Sequence, residues 1–164
     1  MENKFHLRPL EEKDALGMLE WMTDPEIVCF FRFDASAVTL KSCRSFIAEA
    51  NRQENCLHYA IAEEADTYLG TISLKNITEA DAEYAISTRG CTHGTGAAMT
   101  ATREILKIAF QELGLKRVYL NVLAENGRAN AFYRKAGFRF VKTEKNAVMI
   151  RGQEKDLNWY EIER

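Results

Sequence analysis

Arg89-Gly90-Cys91-Thr92-His93-Gly94-Thr95-Gly96 runs straight into Ala97-Ala98-Met99-Thr100-Ala101, and this stretch decides how the 164-residue chain is read. Ala97, Ala98, Ala101, Ile105, Ile108, Ala109 and Leu113 recur at helical spacing, Arg103, Glu104, Lys107 and Gln111 fall on the opposite face, and Gly114 stands where a helix would be capped. A strong amphipathic helix therefore follows a glycine-containing turn. Such a turn leaves backbone N–H groups free at the positive end of the helix dipole, where a phosphate binds. There is no GKS or GKT triplet, and Gly94-x-Gly96 is followed by Ala97-Ala98-Met99, so neither the P-loop nor the dinucleotide fingerprint is present. On its own the turn is equally compatible with a connection that binds nothing.

Working outward, the segment before the turn has a period of two. Leu57 to Ala62, Tyr68 to Leu74 and Ala82 to Ser87 alternate, and the links between them are short and polar. They predict an antiparallel meander. Upstream, Phe5, Leu7 and Pro9-Leu10 suggest a first strand. Ala15, Met18, Leu19 and Met22 then predict a helix that Asp24-Pro25 ends, and Leu40, Cys43, Phe46, Ile47 and Ala50 a second helix from Thr39 to about Asn55. Downstream, Arg117 to Leu123 reads as a strand, Asn126 to Ala136 as a helix closed by Gly137, Phe138 to Val141 as the start of a strand, and Leu157 to Ile162 as the last strand. One α+β domain spanning residues 1–164 is expected, with a mixed, mostly antiparallel sheet of six to seven strands and about four helices.

Composition sets limits. With 46% hydrophobic and 28% charged residues, the chain can bury a core. No apolar run approaches a signal-peptide core or a membrane span, so a cytoplasmic protein away from membranes is expected. Cys29, Cys43, Cys56 and Cys91 form no CxxC pair, so they read as separate reduced thiols, and no metal site is expected. The net charge of −2 argues against nucleic acid, as does the lack of a basic stripe with interleaved aromatics. That charge is uneven: residues 1–66 hold 13 acidic and 7 basic side chains, residues 67–164 hold 11 and 15. The second half has the sign suited to a polyphosphate and the first half the sign suited to a cation.

Two linked motifs make the turn specific. His93-Gly94-Thr95-Gly96-Ala97-Ala98 is followed, after a helix and a strand, by Asn126-Gly127-Arg128-Ala129-Asn130-Ala131-Phe132-Tyr133-Arg134-Lys135-Ala136-Gly137-Phe138. Together they resemble the central region of the GNAT N-acetyltransferase superfamily. Its acyl-CoA motif reads Arg or Gln, x, x, Gly, x, Gly or Ala, and its later motif N-x-x-A-x-x-(L/F)-Y-x-K-x-G-F. The later motif is matched at every fixed position. In the first, Gly96 and Ala98 fit while His93 stands for the usual Arg or Gln. Trp21-x-x-Asp24-Pro25-Glu26 is similar to the ribosomal-protein alanine acetyltransferase (RimJ/RimL-like) branch.

The resemblance implies transfer of an acetyl group from acetyl-CoA to a primary amine, on a small molecule or a protein N-terminus, by direct attack in a ternary complex, with the chain a monomer or homodimer. It implies that His93, Gly94, Thr95, Gly96 and Ala98 bind the cofactor's phosphates. Pantetheine would lie along Ile86-Ser87-Thr88, Asn126 would bond its amide chain, and Tyr133 would protonate the departing sulfur. Attack on a thioester needs a neutral amine, a stabilised oxyanion and a proton for the thiolate, and no metal. Tyr133 also falls on the apolar stripe Ala129, Phe132, Tyr133, Ala136, which by itself indicates core. Glu83 is the candidate base, against a solvated or salt-bridged role. His58 is an outside candidate. Cys91 lacks the paired base a thiol nucleophile needs. A GNAT-fold domain that binds acyl-CoA without catalysis is the alternative.

Overall fold

The computed structural model describes residues 4–164. Seven strands form one sheet in the order β1-β2-β3-β4-β5-β7-β6: β1 Phe5–Pro9, β2 Leu57–Glu63, β3 Tyr68–Lys75, β4 Asp81–Thr88, β5 Arg117–Leu123, β6 Arg139–Ile150 and β7 Gln153–Glu163. All neighbours are antiparallel except β4 and β5. The expected meander is present as β2, β3 and β4, with β1 added at its edge.

Among the described residues there are five α-helices, one more than expected: α1 Ala15–Met22, α2 Pro25–Val28, α3 Leu40–Ala50, α4 Ala97–Lys107 and α5 Gly127–Lys135. Asp24-Pro25 does stop α1, but it also starts α2, because Asp24 caps the Glu26 amide and Pro25 occupies the first helical position. α3 ends at Ala50, short of Asn55. α4 runs on into a π turn, Ile108–Glu112, where Leu113 N bonds Ile108 O, and Leu113 ends up exposed rather than on the buried stripe.

Both faces of the sheet are covered. Ile105, Ala101 and Ala97 of α4 and Tyr133 of α5 pack with Ile61, Ile72, Leu74 and Leu120, whereas Met18, Trp21, Cys43 and Ile47 of α1 and α3 pack with Ala60 and Tyr68. Successive residues of β2 therefore enter opposite cores. No helix among the described residues is long and apolar enough to cross a membrane.

The C-terminal hairpin is longer than expected. β6 and β7 continue through residues 142–156, which the polar composition of that stretch conceals. β6 is an edge strand, mostly exposed, so apolar alternation is not required of it. Its turn, Arg151-Gly152, has positive φ at both residues (48° and 79°), a two-residue hairpin geometry usually signalled by Asn-Gly.

Asn130 ties this hairpin to the centre of the molecule. Its Nδ2 donates to Leu123 O (3.1 Å) and Asn126 O (2.7 Å), and its Oδ1 accepts from Asn158 Nδ2 (2.8 Å) and the Tyr160 hydroxyl (2.7 Å). Asn130→Leu leaves several of those partners buried and unpaired. It is expected to lower unfolding free energy by at least about 2 kcal/mol in a urea titration; a loss below about 0.5 kcal/mol would contradict the clamp.

Candidate active site

β4 and β5 pair over three positions only, Asp81↔Arg117, Ala82↔Val118 and Glu83↔Tyr119. Both continue, to Thr88 and Leu123, but apart, so the β4 edge from Tyr84 to Thr88 has no strand on that side. The gap opens into a cleft of about 900 Å³ bounded by Ile86, Ser87 and Thr88 from β4 and Asn121, Val122 and Leu123 from β5. Tyr84, the first unpaired residue, is buried and bonds Thr102 of α4 through its hydroxyl (2.7 Å). Its ring meets those of Tyr133 (centroids 5.8 Å apart) and Phe138 (5.3 Å).

At one end of the cleft lies the turn before α4. Gly94 and Gly96 have φ of 79° and 86°, a left-handed backbone open to glycine at little cost. His93 N and Thr95 N bond Gly90 O and Thr92 O, and Ala97 N bonds the Thr95 hydroxyl. The amides of Gly94, Gly96, Ala98 and Met99 take no protein acceptor among the described residues, and all four residues line the cleft. These are unsatisfied donors at the positive end of an eleven-residue helix.

The turn is anchored from behind. Thr92 Oγ1 donates to Leu69 O (2.8 Å), and Arg89 donates to Tyr68 O (2.9 Å) while making a two-point ion pair with Glu20 of α1 (2.7 and 3.1 Å).

Opposite stands α5. Asn126 Oδ1 caps the Ala129 amide (3.2 Å), which leaves Nδ2 as a donor at the cleft wall. Tyr133 is 9% exposed and lines the cleft, yet its hydroxyl meets no protein partner among the described residues. Burial pushes its pKa up to about 12, so it holds its proton through the neutral range. Ile27, Phe30, Phe31, Ile150 and Leu157 give the cleft apolar lining, and Glu26, Arg32, Lys75 and Glu83 are among its charged lining. Arg151, at the hairpin tip, donates to Val28 O (3.1 Å) and Cys29 O (3.3 Å) and so ties the hairpin to the end of α2.

The acetyltransferase (GNAT) domain family matches residues 4–139. The chain belongs to that family. Its fold recurs in a probable acetyltransferase (24% identity, 99% of this chain and 94% of the other, TM-score 0.87) and in the spermidine N-acetyltransferase of Vibrio cholerae in complex with CoA and spermine (20%, 98% and 95%, 0.87). It recurs also in the microcin C7 self-immunity acetyltransferase in complex with acetyl-CoA and AMP (20%, 99% and 94%, 0.86). Comparison of the sequence with curated proteins finds no match.

For a GNAT chain, the placement of the expected residues is informative. Tyr133, Glu83, Ile86, Ser87, Thr88, His93, Gly94, Gly96, Ala98 and Asn126 all line the one cleft. Thr95 does not: its hydroxyl donates to Thr92 O (2.6 Å) and caps Ala97, so it shapes the turn instead of facing the cleft. Glu83 is engaged, paired with Lys75 (3.2 Å) and accepting from Asn121 Nδ2 (3.4 Å). His58 lies off the cleft, bonded to Ser73 (2.6 Å) against Phe46, and is structural. Cys91 is a free, exposed thiol outside the cleft lining. Arg128 was not foreseen. It occupies a variable position of the later motif, and it reaches His93 at 2.8 Å.

A Cβ on Gly96 would meet nothing within 4 Å, so the demand for glycine there is one of backbone angle, not space. Gly96→Ala is expected to cost about 1–2 kcal/mol of stability, read from the urea midpoint, because an L side chain strains at this φ. An unchanged midpoint would contradict the left-handed turn.

Proposed function

We propose that this chain transfers the acetyl group of acetyl-CoA to a primary amine by direct attack within a ternary complex. The observation that carries the reading is the convergence in one cleft of four unspent amides, an unpaired strand edge and the unpartnered hydroxyl of the otherwise buried Tyr133. The amides of Gly94, Gly96, Ala98 and Met99 suit the diphosphate. The free edge of β4 at Ile86–Thr88 suits the amide-containing pantetheine arm, which can bond to it as a strand would, and Asn126 Nδ2 offers it a further donor.

The chemistry then needs few groups. The amine nitrogen bonds to the thioester carbonyl carbon, a backbone N–H of the β4 edge receives the developing oxyanion, and the C–S bond breaks with its electron pair going to sulfur. Tyr133 gives sulfur its proton, and the amine proton leaves through water. Glu83, paired with Lys75, is the candidate to take that proton, directly or by way of water.

The cleft lining holds two acidic side chains, Glu26 and Glu83, against four basic ones, Arg32, Lys75, Arg128 and Lys135, beside apolar residues. That balance does not concentrate a polycation, and it favours a monoamine or a peptide N-terminus over a polyamine. The likeness to the RimJ/RimL branch points the same way. Of the residues that carry it, Glu26 lines the cleft, Trp21 donates to the Tyr68 hydroxyl (3.0 Å) and Asp24 caps α2. We place the reaction in the cytoplasm, where acetyl-CoA is made available to such an enzyme.

Thiol release from acetyl-CoA across a panel of monoamines, peptides and polyamines tests the reading, with Tyr133→Phe beside the native protein. The variant is expected to fold with a stability change below about 1 kcal/mol, since the lost hydroxyl has no protein partner. Its kcat is expected to fall about 100- to 10,000-fold with little change in KM for acetyl-CoA. Near-normal kcat would remove the named acid, and CoA binding without thiol release from any amine would favour the non-catalytic alternative.

A further inference from the structure

The acyl-CoA motif of the family places Arg or Gln where this chain has His93. A neutral imidazole is a weaker partner for phosphate than a guanidinium, so the substitution looks like a loss. The structure supplies a replacement from another element. His93 Nδ1 and a terminal guanidinium nitrogen of Arg128 lie 2.8 Å apart. Arginine has only donors, so Arg128 donates and His93 accepts, with the imidazole proton on Nε2. Burial and the neighbouring guanidinium both lower the His93 pKa, in keeping with a neutral ring that accepts this bond.

We propose that Arg128, held over the turn by His93, is the cation that binds the diphosphate of the acyl carrier. The proposal rests on the acetyl-CoA reading above. Arg128 is the second residue of α5, beside that helix's positive end, and His93 borders the free amides of Gly94 and Gly96 at the start of α4. Both side chains line the cleft into which the unpartnered Tyr133 hydroxyl also faces. Arg128 has no carboxylate within ion-pair distance among the described residues, so its charge is free for a ligand, and its fork suits phosphate oxygens. Lys135 also lines the cleft, but it stands at the other end of α5, about 10 Å along the axis. His93 is a positioning residue here: its bond keeps an exposed, flexible side chain over the turn.

Calorimetric titration of the full chain tests this, with CoA, dephospho-CoA (which keeps the diphosphate and lacks the 3′-phosphate) and pantetheine (which has no phosphate). Arg128→Ala is expected to weaken CoA and dephospho-CoA alike by about ten- to a hundredfold and to leave pantetheine unchanged. His93→Ala should weaken both nucleotides less, and the double variant should match Arg128→Ala alone, because His93 acts through Arg128. His93→Arg in the Arg128→Ala background should restore most of the loss. Both side chains are exposed, and thermal melting checks that the variants fold. An unchanged CoA affinity in Arg128→Ala, an equal loss for pantetheine, or a loss that disappears with dephospho-CoA would each overturn the diphosphate assignment. Additive losses in the double variant would overturn the role given to His93. Failure of the native chain to bind CoA at all would sink the acetyl-CoA reading itself, an outcome distinct from these.

Discussion

The site depends on the parting of β4 from β5 after Glu83. A continuous parallel pair would satisfy the backbone groups of both strands and leave no gap; three paired positions are enough to hold the sheet together, and the remainder of β4 keeps one edge free. At the point of parting the Tyr84 ring is pinned to Thr102 of α4 and packed against Tyr133 of α5 and Phe138. That cluster orients the side chain proposed to act in the cleft, so the structural and catalytic readings of Tyr133 are not alternatives. A tyrosine can contribute its ring to the core and its hydroxyl to the cleft.

The two helix N-termini that face the cleft are held by different means. The turn before α4 is fixed from the N-terminal half of the chain, through Arg89 to Glu20 and Tyr68 and through Thr92 to Leu69. The start of α5 is fixed from the C-terminal hairpin, through Asn130 to Asn158 and Tyr160. Arg151 closes the circuit by bonding the hairpin tip to the end of α2. Free donors at a helix start can wait for a ligand without collapsing only if the backbone around them is held in this way, and here every anchoring group has its own partner.

Much of this was legible in the sequence because local signals and the tertiary fold agree. The meander, α4 and α5 carry strong periodicity, and ten of the eleven residues singled out from the motifs and their flanks line one cleft. The failures have physical causes. Thr95 looks like a phosphate-loop hydroxyl, but a side chain beside a helix start can equally cap it, and the sequence does not say which. Residues 142–156 form a mostly exposed hairpin at the edge of the sheet, where little requires an apolar period. Asp24-Pro25 marks a helix boundary without telling whether another helix begins there. Arg128 and Asn130 sit at variable positions of a motif, and their partners are 35 residues before and 28 to 30 residues after them, distances at which sequence spacing carries no contact information.

The central claim is that the free amides of the α4 turn and the free edge of β4 form one binding surface for CoA. Amide-resolved nuclear magnetic resonance during a CoA titration tests it most directly, because it reads each of those N–H groups separately. The largest shifts are expected at Gly94, Gly96, Ala98 and Met99, with a second set at Ile86, Ser87 and Thr88. Shifts confined to another surface, such as the shallow pocket between Lys13 and Arg89, or no shifts at all at saturating CoA, would contradict the account.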